Sequence, residues 1–334
     1  MSPTQLKLKT ILSLGAATLA FALVGCAHTP NPATHSTVIE FTGETIYPES
    51  AFWSAKQNRF FIGSVRHGDI GTVDTQGHYQ AFIRSQSTPS TFGIHIDDKR
   101  NHLWVTIDDL GTSDKSSPTT QGKLAAVAQY DSKTGQQLGY WDVTPLTAGA
   151  HVANDIALDD VGNAYITDSF ANVIYCIDTQ GQISVFADSP LFKTGASFGL
   201  NGIAYHSDGY LLVGAWNSGE LFKVNINQPQ NVRKVALPET LAGKGMDGIA
   251  LLDANHLIAA VSFENRTVSI ESTDDWNTAQ LIASQPTIST YPSAVAIKNA
   301  QAWTLNSRLD SLLDPKASKV NSFMLQKFQP TLGQ

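Results

Sequence analysis

The sequence predicts an all-β protein, a six-bladed β-propeller, and three observations predict it. The first is a repeated pattern. Ala153-Asn154-Asp155-Ile156-Ala157, Leu200-Asn201-Gly202-Ile203-Ala204 and Met246-Asp247-Gly248-Ile249-Ala250 share a short Asn or Asp, a small or turn-prone residue, and then Ile-Ala. Each runs into a turn rich in Asp, Gly or Asn and then a second apolar run, which reads as strand, tight turn, strand. The second is the spacing: Asn154 to Asn201 is 47 residues and Asn201 to Asp247 is 46. A period in the forties made of short strands is that of propeller blades of about four strands. The third is that no stretch of useful length after residue 26 has a 3.6-residue period.

Extending the period outward gives six copies. Downstream is Pro292-Ser293-Ala294-Val295-Ala296-Ile297; upstream are Thr91-Phe92-Gly93-Ile94 and Pro48-Glu49-Ser50-Ala51-Phe52-Trp53. The innermost strands are therefore expected to begin near residues 50, 92, 154, 201, 247 and 293. The one long gap, between Gly93 and Asp155, holds a polar stretch at 111–122 that reads as an insertion in the second blade. Residues 37–41 and 322–328 each read as a strand, so one terminus is expected to complete a blade begun by the other, because an unpaired edge would otherwise be left exposed.

Residues 1–25 read as a leader. Lys7 and Lys9 make a charged start, and the apolar run over 11–24 is short for a membrane span. It ends in Leu23-Val24-Gly25-Cys26, which resembles a bacterial lipoprotein signal. The resemblance implies that Cys26 carries the lipid. A non-acidic residue next to it, here Ala27, implies the outer membrane, with the protein facing the periplasm. Residues 26–36 read as a tether, and 37–330 as a single propeller touching the membrane through its anchor alone and acting as a monomer. The formal net charge of −7, more negative once Lys7 and Lys9 are gone, gives no basic patch for nucleic acid. Cys176, the one other cysteine, lies in an apolar strand where packing is its expected role.

In a propeller the first strand of each blade lines the central channel, so Glu49, Asn154, Asn201 and Asp247, each at the start of such a strand, should converge at one mouth. Oxygen ligands drawn from separate blades suit Ca²⁺, or another divalent metal, and Ca²⁺ takes about 6–8 oxygens at about 2.3–2.6 Å. No Cys/His cluster has zinc spacing. The competing reading is that these are turn residues capping their own backbone; the shared register of three of them, with a Glu in a fourth, favours the metal.

On Glu49 in Pro-Glu-Ser-Ala-Phe-Trp and the Asn-Asp, Asn-Gly and Asp-Gly pairs at 154, 201 and 247, the chain resembles the SMP-30/gluconolactonase/LRE-like family of six-bladed, calcium-dependent propellers, related to paraoxonase and strictosidine synthase-like proteins. The resemblance covers most of residues 45–305. It implies that Glu49, Asn201 and Asp247 hold the catalytic metal and that Asn154 binds metal or substrate. Gluconolactonases often place an Arg near that first Asn, whereas His151-Val152-Ala153 stand here. His151, His67, Asp168 and Asn154 are the candidate substrate contacts on the rim, and Asp247 is the candidate proton-handling residue. The expected function is Ca²⁺-dependent hydrolysis of a small-molecule lactone or ester, with a non-catalytic binding or scaffold propeller holding a structural channel metal as the alternative.

Overall fold

Strands form here because short apolar runs are cut every few residues by Asp, Asn and Gly turns. Asp159 shows how: one carboxylate oxygen accepts from the backbone N–H of Val161, Gly162 and Asn163 at 3.1, 2.8 and 2.8 Å, closing the hairpin between two strands. The computed structural model describes residues 36–193, 195 and 198–330. The expected leader, the lipidation at Cys26 and all of the tether but Ser36 lie outside the described residues. Among those described, no helix is long and apolar enough to cross a membrane.

The strands make six four-stranded antiparallel sheets. Blade 1 is Ala51–Ser54, Arg59–Ile62, Ile70–Val73 and Tyr79–Ile83. Blade 2 is Ser90–Asp97, His102–Asp108, Ala125–Asp131 and Gln137–Asp142. Blade 3 is Ala153–Leu158, Ala164–Asp168, Val173–Ile177 and Ile183–Asp188. Blade 4 is Leu200–His206, Tyr210–Ala215, Glu220–Asn225 and Gln228–Val235. Blade 5 is Met246–Leu251, His256–Val261, Arg266–Glu271 and Gln280–Pro286. Blade 6 takes Pro292–Lys298, Gln301–Asn306 and Ser322–Lys327 from one end of the chain and Val38–Thr42 from the other. The first strand of each blade packs against the first strands of both neighbours, and the last blade against the first, which closes a six-bladed propeller. The inner strands begin where the repeat places them. The N-terminal strand is the one that completes the ring, pairing as the outermost strand of blade 6 with Phe41 opposite Phe323.

The core lies between blades. Trp53, Phe60 and Trp303 pack across the seam of blades 6 and 1, with the Phe60 ring tilted against Trp53 at a centroid distance of 4.8 Å and edge-on to Trp303 at 6.3 Å. Near the axis the inner strands approach so closely that side chains are excluded. A Cβ on Gly202 would stand 2.5 Å from the carbonyl oxygen of Asp247, and one on Gly248 the same distance from that of Ser293. Blade 3 is different: the same register position is Asp155, whose Oδ2 accepts from the N–H of Ile203 on the next inner strand at 3.2 Å.

The insertion of blade 2 is ordered by Asp109. Its carboxylate accepts from Gly111 N (2.7 Å), Ser116 Oγ (2.5 Å) and Thr120 Oγ1 (2.6 Å). Ser113 then ties the loop to blade 1 by donating to the carbonyls of Arg66 and Pro89. One helical turn, Leu309–Leu313, connects the second and third strands of blade 6.

Candidate metal centre

Three of the four mouth residues have their backbone fixed by a hydroxyl from the preceding blade. Thr106 Oγ1 donates to the carbonyl of Asn154, Thr167 Oγ1 to that of Asn201, and Ser293 Oγ to that of Glu49, each at 2.6 Å. Such bonds contribute about 1 kcal/mol each, but their larger effect is to hold the side chains at a set height on the channel axis. Glu49, Asn154, Asn201 and Asp247 are 6 %, 1 %, 3 % and 4 % exposed and line one cavity of about 190 Å³. The structure therefore brings all four together.

Their polar atoms are unevenly satisfied. Asn154 Nδ2 donates to Ser169 Oγ at 3.0 Å, and that hydroxyl donates to the carbonyl of Leu200 at 2.5 Å. This fixes which way the amide stands. Asn154 Oδ1 and Asn201 Oδ1 are buried without a donor among the described residues. Burial pushes the Glu49 carboxyl well above the ordinary range, and Asp247, Asp155 and Asp108 add to the shift. Burial also pushes Asp247 up to about 8, Asp155 adding to it while the side chains of Asn201, Trp216 and Ser262 oppose. Asp155 sits one residue further into the channel, beside a cavity of about 270 Å³. Burial pushes it up to about 7 although the N–H groups of Ile156 and Ile203 donate to it at 2.8 and 3.2 Å. The causes of these three shifts include no cation.

Two buried carboxylates and two amide oxygens lacking donors form a donor set of hard oxygens, which fits a cation such as Ca²⁺. Among the described residues no group of three His, Cys, Asp or Glu is placed to hold a metal; the set found here is half amide.

The remaining candidates fall elsewhere. His151 Nδ1 lies 2.8 Å from Asp168 Oδ2 and its Nε2 lies 3.1 Å from the carbonyl of Thr147. Both ring nitrogens face acceptors, and the hydrogen bond to Asp168 raises the His151 pKa. Asp168 Oδ1 accepts from the N–H of Val152, Phe170 and Ala171, and Tyr175 Oη donates to Oδ2 at 3.2 Å. The pair is buried and off the cavity. His67 is bound by Asp114 (2.7 Å) and the carbonyl of Glu44 (3.0 Å), in a separate polar cleft on blade 1. His95 lines the channel and also packs, 4.3 Å from the Phe52 ring; burial brings its pKa down to about 4. Cys176 is half-buried, and burial pushes its thiol up to about 12.

The sequence reading missed three features. Tyr291 lines the mouth cavity, with its phenol pKa raised by burial and by Asp247 and Glu49. The turn Leu309–Leu313 covers one side of it. Asp108 is fully buried with neither carboxylate oxygen partnered among the described residues, and burial, Asp109 and Asp168 push its pKa well up. Asp108 had a visible signal, since it abuts Asp109 at the start of the insertion.

No family model matches the chain, and no curated protein matches it. Solved structures do. The chain is similar to the major allergen Mala s 1 of Malassezia sympodialis, at 13 % identity over 87 % of this chain and 96 % of that one, with a TM-score of 0.71. It is similar to a luciferin-regenerating enzyme at 11 % identity over 88 % and 98 % (TM-score 0.59). It is also similar to virginiamycin B lyase from Staphylococcus aureus at 12 % identity over 87 % and 99 % (TM-score 0.57). At these identities the likeness shows the fold.

Proposed function

We propose that this chain is a divalent-metal-dependent hydrolase of lactones or esters, with Ca²⁺ as the metal. The observation that carries the reading is the donor set: Asn154 Oδ1 and Asn201 Oδ1 without donors, beside Glu49 and Asp247 buried without a cation. Leaving such groups uncompensated is costly, and a cation offsets the cost. The resemblance to the SMP-30/gluconolactonase pattern at these positions supports the same reading. The fold likeness to a luciferin-regenerating enzyme and a lyase places enzymes on this scaffold, but the residues carry the argument.

When bound, the cation supplies Lewis acidity towards a carbonyl oxygen and acidifies a water. Glu49, Asn154 and Asn201 would hold the cation through their side-chain oxygens and so fix where the reacting carbonyl sits at the mouth. With the cation bound, Asp247 would be ionised; it would take a proton from the attacking water on a carboxylate oxygen and pass it to the alkoxide oxygen as the acyl–oxygen bond breaks. Tyr291 keeps its phenolic proton and offers it to a substrate oxygen. The apolar walls keep bulk water away, which strengthens each of these interactions. Attachment to the bacterial envelope through Cys26, as an outer-membrane lipoprotein facing the periplasm, is proposed from Leu23-Val24-Gly25-Cys26 alone, and retention of Cys26→Ala on membranes would overturn it.

The test is a lactone and aryl-ester panel run with Ca²⁺ and with chelator, alongside thermal unfolding. The expected results are hydrolysis abolished by chelator and a Ca²⁺-dependent rise in Tm that Glu49→Gln removes. A wild-type Tm indifferent to Ca²⁺ refutes the metal site.

A further inference from the structure

Above its four polar floor residues the mouth is apolar. Phe92, Leu110, Phe198, Trp216, Leu309 and Leu312 line the cavity, and the charged groups among its lining are Glu49 and Asp247 alone. Among the described residues no Lys, Arg or His faces it, so a sugar acid or a phosphate ester would find no side-chain counter-ion on the walls. Among the described residues, Thr112 and Tyr291 are the hydroxyl donors on the walls, too few to exchange with the several hydroxyls of a sugar that loses its water.

Two groups supply most of the apolar wall: Phe198 and Trp216, which belong to a longer aromatic row, and the turn Leu309–Leu313. Phe170, Phe198, Trp216 and Phe263 form a continuous aromatic row along blades 3 to 5, with ring centroids 5.7, 5.3 and 4.5 Å apart. Opposite, Leu309–Leu313 is a single turn whose Leu309 and Leu312 root in the core beside Tyr47 and Phe323. Thr290 Oγ1 steadies the turn by donating to Asp310 Oδ1 at 3.0 Å. Its last residue, Leu313, lines the cavity while 51 % exposed, so the wall continues outward from the floor to the rim.

We infer that the substrate carries an apolar alkyl chain, seated between the aromatic row and Leu309–Leu313, with its ester or lactone group at the cation site of Asn154, Asn201, Glu49 and Asp247 on the floor. This rests on the hydrolase reading for the reaction and on the cavity walls for the chain. The substrate class is a lactone or ester with an alkyl tail, in contrast to a polyhydroxylated sugar lactone.

The test uses Ca²⁺-loaded protein and γ-lactones whose side chain lengthens from methyl to octyl, with glucono-δ-lactone as the polar comparator. The expected kcat/KM rises about three- to fourfold per methylene until the chain leaves the cavity, and then levels. Leu313→Gln, at an exposed position, should lower the octyl-to-methyl ratio about threefold or more. A flat series, a preference for glucono-δ-lactone, or an unchanged ratio in Leu313→Gln overturns the inference. The matching γ-lactams, which resist hydrolysis, are titrated by tryptophan fluorescence, the signal being assigned by its loss in Trp216→Phe. If no lactone turns over but lactam affinity climbs with chain length, the substrate class stands and the hydrolase reading falls. If lactams bind without regard to chain length, or do not bind, the substrate class falls.

Discussion

Asp108 and Asp168 end the second strands of adjacent blades, and both are fully buried. Asp168 receives three backbone N–H groups, a tyrosine hydroxyl and a histidine. Asp108 receives no donor among the described residues. Glu49 and Asp247 share with Asp108 a pKa raised by burial and by neighbouring carboxylates, with no cation among the causes, although the side chains of Asn201, Trp216 and Ser262 donate to Asp247. One repeat position thus yields two kinds of buried acid. A carboxylate given its full set of donors is a structural tie. One left without donors, as Asp108 is, carries a raised pKa instead, and the two carboxylates at the channel mouth share that raised pKa.

The largest effect expected from this contrast is on pH dependence. Asp247 is pushed up to about 8 and Asp155 to about 7, from ordinary values of 3.8. Between about pH 4 and 8 the folded protein therefore holds protons that the unfolded chain has released, so stability falls as pH rises through that window. His151 acts in the same direction: its raised pKa gives stability that is present at low pH and lost as pH climbs past its folded value. With chelator, the urea midpoint should drop from pH 5 to pH 8. Saturating Ca²⁺ should flatten the slope, because the cation displaces the protons on the mouth carboxylates. A chelated protein with a rising midpoint would break the comparison.

Next comes the pair of single variants. His151→Ala leaves Asp168 buried without its charged partner and should cost about 3–5 kcal/mol, while Ca²⁺ affinity is retained. Glu49→Gln should leave the chelated protein within about 1 kcal/mol of wild type. It should also abolish the Ca²⁺ stabilisation, which for wild type is about 2.7 kcal/mol at a hundredfold excess over Kd. Chemical denaturation with and without Ca²⁺ reads both. The smallest effect separates the two aspartates themselves. Asp168→Asn should lose about 1–3 kcal/mol by putting an NH2 donor in place of Oδ2, against the Tyr175 hydroxyl and the His151 Nδ1–H. Asp108→Asn should be neutral or slightly stabilising at pH 8, and an equal loss in both would show that Asp108 is as well tied as Asp168.

Much of this was legible in the sequence because the repeat carries it. The six inner strands and the meeting of Glu49, Asn154, Asn201 and Asp247 follow from one period and one register. The turn Leu309–Leu313 was not legible, because a single turn is too short to show a helical period. Nor was Asp155, whose register shared with Gly202 and Gly248 gains meaning only once the inner strands are seen to touch. The sequence reading set His67, His151 and Asp168 on the rim as substrate contacts. The partners that absorb them, Asp114, Thr147 and Tyr175, come from an insertion, a loop and a neighbouring strand, and no spacing rule links these.

The hydroxyl of Ser293 holds the carbonyl of Glu49 across 244 residues of chain. A nascent chain therefore makes its first mouth residue long before the group that will fix it. Asn154 and Asn201 find their hydroxyls in the blade already behind them, whereas Glu49 must wait for the last blade. Occupancy of the mouth would thus report that the ring has been finished, and a chain truncated before blade 6 would present the same residues with the gate left off its hinge.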